Sequence, residues 1–444
     1  MPMMPPRLIP VRLMPALYEL VGVSRLLVLR GGGIAATFLM NLLIVRRFGA
    51  EANGLFQVAL SYVMIGAAVG RLGQEQLALR DIAEMKVEGD AGRARATIDR
   101  SLAVTLPAAL AVALSVAVAA DIWGADGGGM IPAFAPTIVL LAWLWIVTEA
   151  LRGWQLVPAA VFWQGSFIPI AFVALFVPLD AMGMLRAGEL PWLYAGCSLI
   201  GLAGAGWAWR RAIGASHRPA AAVPWRHGVR DTVRRGAMFW ILAILTNVAG
   251  WLDLLVLYAF ADAAVVGIFQ PIVRTGGLIA VAINIATAGL IARLALLYAA
   301  RDGAAFVRIA RLYWIVIAAG SLAAGVVFIA MAPWIAALWG PVIAPYHREL
   351  TLYVLVQLVQ AIFIIAPLAA PVMGLERAMV VVQIANVPLK AAAVAFGYAQ
   401  AGLVGVIAGL GLCTLVSVSW TVVLFFRQLA TMGIRWQSFL TGRP

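Results

Sequence analysis

The sequence predicts an all-α polytopic membrane protein of about twelve transmembrane helices, in two pseudo-symmetric six-helix lobes related as a parallel repeat, with both termini cytosolic. Three observations carry that expectation. The chain is 64% hydrophobic and only 11% charged over 444 residues, with a mean hydropathy of +0.98, whereas a soluble domain carries roughly 25% charged residues. Apolar runs of about 20 residues, the length that crosses the hydrocarbon layer as a helix, recur along its whole length. Third, the phrase FGAEANGLFQ, from Phe48 to Gln57, returns nearly unchanged as FADAAVVGIFQ from Phe260 to Gln270.

The elements follow in chain order. Residues 1–28 contain basic residues but no clean apolar core followed by a small-residue cleavage site, so they read as a retained cytosolic or interfacial segment. A first six-helix lobe occupies 29–213, with spans centred near residues 38, 64, 111, 142, 168 and 200, each to about four residues. A basic cytosolic linker follows at 214–234. The second lobe and a short cytosolic tail fill 235–444, with spans near 247, 278, 322, 360, 388 and 414, to the same tolerance of about four residues.

Orientation comes from the loops. With a cytosolic N-terminus, twenty-five of the 32 Lys and Arg residues fall inside, seven of them between Arg210 and Arg235. Outside lie only Arg46, Arg47, Arg186 and Arg348, and Arg71, Arg274 and Lys390 fall within spans. That bias sets topology. It accounts for the net charge of +13 without nucleic acid as a partner.

The repeated phrase extends into a repeated layout. Asn41 lies seven residues before Phe48, and Asp253 seven before Phe260. Downstream, Asp90 and Asp302 each open a basic helix, and Gly153 and Gly374 follow the fourth and tenth spans, with Pro169 and Pro388 at similar offsets. An even number of spans per half gives both halves the same orientation. Two such lobes facing one another form a cleft near the bilayer midplane.

Helical spacing selects the residues of that cleft. Gln57, Ser61, Met64, Ala68, Arg71 and Glu75 step by four and three, so they share one helix face. The equivalent stripe in the second half is Gln270, Arg274, Gly277, Val281, Asn284 and Ala288. Lipid penalises polar stripes of this kind, which places them toward protein or a wet cavity. Asp253 and Arg274 each lie roughly 10 Å below the outer surface on adjacent helices and are expected to meet. That pair reads either as a structural ion pair or as a switchable carboxylate, protonated or cation-bound in one conformation and paired in the other. The first-half equivalents are Asn41 and Ser61. Lys390 lies near the bilayer centre, where a lone charge costs at least about 2.5 kcal/mol; it reads as an anion contact or as the partner of a carboxylate elsewhere. Arg71, near the cytosolic mouth, has three readings: snorkelling, pairing with Glu75, or substrate contact. Glu149, near the inner end of span four, reads as interfacial.

These residues also carry a family resemblance. RRFGAEANGLFQ and GRLGQEQLALRDIAE resemble the turns around the second span of polysaccharide flippases in the multidrug/oligosaccharidyl-lipid/polysaccharide (MOP) exporter superfamily. WLDLLVLYAFADAAVVGIFQPIVR is similar to that family's seventh and eighth spans, and MGLERAMVVVQIANVPLKAAAVAFGYAQAGLVGVIAG to its eleventh and twelfth. The proline expected late in span eight is absent from NIATAGLIARL. The resemblance covers nearly the whole chain. It implies a two-lobed flippase of the bacterial inner membrane that moves a polyprenyl-pyrophosphate-linked oligosaccharide by alternating access, for surface or exopolysaccharide biosynthesis, with polysaccharide polymerase or export machinery as partners beside the lipid bilayer. Under that reading Arg274, Lys390, Arg71, Gln57, Gln270 and Asn284 bind substrate. Asp253, Glu75 and Asn41 serve coupling, with a proton or sodium ion and no other cofactor.

The chemistry favours it over the alternatives. A pyrophosphate crossing hydrocarbon needs cationic side chains in place of water, whereas a drug-cation exporter of the same fold, the main competing reading, would present carboxylates and aromatics. Neither lysine follows a glycine, so no GK[ST] phosphate loop exists. His217, His227 and His347 lack ligand spacing, which speaks against a metal. No G-x-S-x-G appears, and the outer loops are short for an embedded glycan polymerase. In the longer of them, Trp334, Trp339 and Tyr346 read as interfacial anchors. Cys197 and Cys413 sit inside apolar runs as small hydrophobes, and the G-x-x-x-G pairs Gly66/Gly70 and Gly405/Gly409 read as close-packing sites.

Overall fold

The computed structural model describes residues 14–123, 129–214, 229–287, 290–431 and 439, so most of the expected linker and the first thirteen residues lie outside it. The described residues form fifteen α-helices with short 3-10 and π turns and no strand. They are α1 (Met14–Gly70), α2 (Gln74–Glu88), α3 (Ala91–Trp123), α4 (Met130–Gly153), α5 (Val157–Val161), α6 (Phe167–Ala181), α7 (Leu190–Gly214) and α8 (Val229–Phe260). Then come α9 (Ala263–Gly276), α10 (Leu278–Thr287), α11 (Leu290–Ala299), α12 (Gly303–Leu338), α13 (His347–Ile362), α14 (Ile365–Ala369) and α15 (Glu376–Thr431). Eight helical stretches are long and apolar enough to cross a membrane. Two of them, Val28–Gly70 and Glu376–Thr431, are each folded back on themselves, and all twelve expected span centres fall within helices.

Both reversals are made by glycine. Gly49 sits at φ 86°, ψ 179° inside α1. A straight helix would separate residues 16 apart by roughly 24 Å, yet the Gln57 amide donates to the Asn41 side chain. In α15, Ala401 and Gly402 leave helical geometry, Gly402 with φ 57°. There the two arms approach so closely that a Cβ on either Gly397 or Gly405 would strike the other's carbonyl. Positive φ excludes most side chains, which is why glycine stands at these turns.

The chain forms two compact units. Unit 1 takes residues up to Met40 and Tyr62–Asn247; unit 2 takes Asn41–Ser61 and residues from Val248 on. In unit 1 the central helix is α4, whose sequence is apolar nearly all round and which packs against α2, α3 and α7. Glycines admit close backbones: a Cβ on Gly70 would lie 2.8 Å from Ala109 Cα, and one on Gly153 2.7 Å from the Leu79 carbonyl. The first part of α8 belongs to this unit. Arg235 donates to both Asp81 oxygens at 2.8 and 2.9 Å, and Trp240 Nε1 to the Val69 carbonyl at 2.8 Å.

One expectation changes here. The helix that carries the first polar stripe ends at Gly70, because Leu72 (φ 53°) and Gly73 (φ 71°) turn the chain left-handed before α2 begins. Arg71 and Glu75 therefore stand on a turn and on the next helix, not on one continuous face. The repeat's aspartates, by contrast, act alike: Asp90 Oδ1 accepts from the Arg93 N–H at 2.8 Å, and Asp302 Oδ1 from the Ala305 N–H at 2.9 Å, each capping the basic helix it opens.

In unit 2 the repeated phrase packs against itself. A Cβ on Gly54 would run into the Ala263 carbonyl, and one on Gly267 into the Ala50 carbonyl. Ala50 and Gly54 correspond in the repeat to Ala263 and Gly267, so two copies of A-x-x-x-G cross backbone to backbone, the use small residues have between membrane helices. Asn53 Nδ2 adds a hydrogen bond to the Gly267 carbonyl at 3.1 Å. Span eight, which lacks the late proline, is divided where α9 gives way to α10 at Gly276 and Gly277. Elsewhere α12 packs on α13, and α13 on α15.

Replacing Gly54 or Gly267 with Ala is expected to lower the thermal unfolding midpoint of the purified full-length protein, with overpacking costing about 1–3 kcal/mol. Gly165→Ala, where a Cβ meets nothing within 4 Å, is the control that should leave the midpoint in place.

Candidate functional site

Unit 2 gathers charged and aromatic side chains from four helices. Asp253 and Trp251 stand on α8, Arg274 on α9, Tyr353 on α13 and Lys390 on the first arm of α15. All five are partly buried. The Arg274 guanidinium lies 6.0 Å from the Trp251 ring centroid, a cation–π arrangement. The charge acting on Asp253 is that of Lys390, and its carboxylate also accepts from the Leu254 N–H at 3.1 Å. Tyr353 joins the two halves of the cluster, since its phenol feels both Asp253 and Arg274. Gly276, two residues after the arginine, makes room for the tyrosine ring: a Cβ there would sit 2.5 Å from Tyr353 Cδ1.

Sequence reasoning placed Asp253, Arg274 and Lys390 in the site separately and coupled the first two. The charge of Lys390 bears on Asp253, and the charges of Asp253 and Arg274 both bear on Tyr353. Tyr353 was missed. So was Asn386, one turn before Lys390, whose Oδ1 is buried without a hydrogen-bond partner. The i, i+4 spacing of Asn386 and Lys390 on one helix face was the available signal; Tyr353 had none, because only the fold brings α13 to α9.

Asn41 and Gln57 form a second, neutral pair in unit 2. Both are fully buried, and Gln57 Oε1 has no partner. Gln270 is buried on α9. The side chain of Asn284 lies outside the described residues. Trp339, expected as an interfacial anchor, is instead buried and donates from Nε1 to Thr275 Oγ1 at 3.0 Å, beside Arg274. Trp334 is 69% exposed and remains suited to the anchoring role.

Unit 1 holds the other polar centre. Arg71 is 2% exposed, which removes snorkelling. Its Nε lies 3.5 Å from Glu75 Oε1, and its guanidinium stacks 4.5 Å from the Trp145 ring centroid. Glu149, expected at the interface, is 3% exposed. It accepts from Arg152 Nη1 at 2.6 and 2.8 Å, and Gln164 bridges the pair, donating to Glu149 Oε1 at 3.1 Å and accepting from Arg152 Nη2 at 2.8 Å. Gln164 reaches in because Phe162–Ser166 is a π-helical turn, a local widening that re-aims side chains. The charge of Glu149 is felt at both Arg71 and Glu75. The spacing of Trp145, Glu149 and Arg152 on one face of α4 was the sequence signal for this group, and an all-apolar helix masked it. Among the described residues no group of three or more His, Cys, Asp or Glu could hold a metal ion.

Comparison with known proteins gives a family and a fold. Residues 21–292 match the family described as polysaccharide biosynthesis protein. No curated protein matches the chain. Among solved structures, a multidrug resistance MATE family transporter of the MOP superfamily, in an inward-facing conformation, aligns with TM-score 0.68 at 16% identity, over 90% of this chain and 95% of that one. A MOP superfamily transporter from Pyrococcus furiosus, for which reversed polarity of the binding pocket suggests a different function, aligns with TM-score 0.63 at 15% identity, over 93% and 96%. A Vibrio cholerae MATE transporter aligns with TM-score 0.61 at 14% identity, over 92% and 97%.

Removing one partner of the Glu149–Arg152 pair strands a buried charge. Arg152→Met is expected to destabilise the protein by about 3 kcal/mol, the lower end for a broken buried pair because the arginine is partly exposed. The double variant Glu149→Gln/Arg152→Met should recover most of the loss in thermal midpoint.

Proposed function

This chain belongs to the polysaccharide biosynthesis protein family, and from that membership and the geometry of unit 2 we propose that it flips a polyprenyl-pyrophosphate-linked oligosaccharide across the bacterial inner membrane. The coarser statement, a multi-pass transporter with the MOP fold, rests on family and architecture together. The single observation that carries the substrate class is the placing of two basic side chains, Arg274 and Lys390, within membrane-spanning helices of unit 2, beside Asp253. Basic groups so placed suit a pyrophosphate.

In this reading the anionic head displaces Asp253 from Lys390 and draws the Arg274 guanidinium, which Trp251 and Tyr353 hold in position. Arg71 forms a second cationic station in unit 1, and Gln57, Gln270 and Asn284 offer polar contacts. Freed of Lys390, Asp253 takes a proton or sodium ion, and exchange between the two partners drives alternating access; Glu75 and Asn41 belong to the same coupling. Both termini are cytosolic, and partners are the bilayer and polysaccharide polymerase or export machinery. A drug-cation exporter is the second reading, favoured by the fold shared with a multidrug resistance MATE transporter.

The test uses cells lacking the protein, complemented with variants. Lipid-linked oligosaccharide is expected to accumulate on the cytosolic leaflet without the protein. Lys390→Ala and Arg274→Ala, present at normal level, should each lower the flipping rate about ten- to a hundredfold, the worth of a charge-assisted hydrogen bond, with Lys390→Arg retaining part of it. Unchanged lipid-linked sugars together with heightened sensitivity to cationic drugs would overturn the reading in favour of the exporter.

A further inference from the structure

Three carboxylates are buried among the described residues of unit 1, and Arg235 spans both oxygens of one of them, Asp81; the other two, Glu75 and Glu149, are unequally provided for. Both are about 3% exposed, and the charge of Glu149 bears on Glu75. Glu149 is saturated, with Arg152 across both oxygens and Gln164 on one of them. Glu75 has one ion-pair contact, of 3.5 Å to Arg71 Nε, beside a backbone hydrogen bond from its own N–H, and the Arg71 guanidinium is shared with the Trp145 ring face. Glu75 Oε2 has no hydrogen-bond partner, and the Arg71 Nε–H also lacks a hydrogen bond of proper geometry. An ionised carboxylate oxygen buried without a donor is costly, whereas a neutral carboxyl in the same place is far less so.

We infer that Glu75 is the proton-binding group of unit 1, and that Glu149, clasped by Arg152 and Gln164, is the neighbouring carboxylate that tunes it. This deepens the coupling part of the function proposed above and rests on it. A proton from water bonds to Glu75 Oε2, and the Arg71–Glu75 ion pair is lost; release of the proton restores the pair. Protonation and ion pairing thus exclude one another, the property a coupling site needs. A sodium ion fits poorly, because the Arg71 guanidinium faces the one carboxylate that has capacity to spare and both oxygens of the other are taken.

The surroundings agree. Burial pushes the Glu75 carboxyl above its ordinary value, Arg71 draws it down, and Glu149 pushes it up. The charged groups acting on it are Arg71 from the turn before α2 and Glu149 from α4, the latter paired with Arg152 and Gln164, while Arg235 of α8 is engaged with Asp81 further along α2. From α3, Arg93, Arg100 and Ser101 lie toward the Gln74 and Asp81 side of α2. Because the folded protein holds this proton more tightly than the unfolded chain, the stability it contributes is present at low pH. That contribution is lost as pH rises from the ordinary carboxyl range through the raised value.

Infrared difference spectra of the full-length protein in liposomes, recorded across pH, test this directly. In the wild type a protonated-carboxyl component should persist above the ordinary carboxyl range. It should be lost in Glu75→Gln and titrate at lower pH in Glu149→Gln. Wild-type and Glu75→Gln spectra that superimpose would overturn the assignment, and an unmoved midpoint in Glu149→Gln would overturn the tuning role. Should Glu75→Gln not be recoverable in folded form, Glu75→Asp must shift the frequency of the same component, and an unshifted spectrum sinks the proposal equally. The spectra read the proton without any transported molecule, so failure of the lipid-linked substrate reading would leave them unaffected.

Discussion

An ionised side chain surrounded by hydrocarbon is expensive, by about 2.5–3.5 kcal/mol even on the mildest scales, and the polar architecture of this protein follows from avoiding that cost. Arg71 lies between Glu75 and the Trp145 face, Arg152 clasps Glu149, Arg274 meets Trp251, and Lys390 answers Asp253. Each pairing joins different segments of the chain or turns of one helix. The charges therefore do more than neutralise one another: in unit 2 they draw α8, α9, α13 and α15 to one place, and in unit 1 they tie the end of α1 and the start of α2 to α4. Apolar packing alone gives membrane helices little preference among lipid and neighbours, so such polar contacts and the close approach of small residues supply much of the specificity.

The duplicated phrase belongs to the second of those devices. Its two copies meet, with Ala50 and Gly54 against Ala263 and Gly267, and each glycine admits the other copy's backbone carbonyl. A repeat that packs on itself needs the same small residues twice, which is a physical reason for one chain to carry the phrase in both halves. Around that shared scaffold the halves have diverged where chemistry is concerned. Asn41 bonds the Gln57 side chain in a neutral buried pair, while its counterpart Asp253 stands with Lys390, Tyr353 and Arg274 in a charged group. In the first half the charges stand beyond the end of α1, with Arg71 on the turn and Glu75 on α2.

Composition and hydropathy, by themselves, determined the solvent, the helical class and the positions along the chain at which helices form, because each depends on properties summed over twenty or more residues. Single charges within spans were legible for the same reason: against so apolar a background, Arg71, Asp253, Arg274 and Lys390 stand out without any knowledge of contacts. Only the tertiary structure decided what those charges touch. Sequence distance carries no record of which helices become neighbours, so Tyr353 stayed hidden on α13, Trp339 looked like an anchor until it proved to be buried against Thr275, and Lys390 had no visible partner. Local periodicity misled where the helix stops: the i, i+4 step from Arg71 to Glu75 implied one continuous face, but two left-handed residues intervene. Glu149 was judged by its place near a span's end, whereas its burial is set by the π turn that brings Gln164 over it. Backbone breaks and neighbouring helices are long-range outcomes of packing, and they are what a one-dimensional pattern omits.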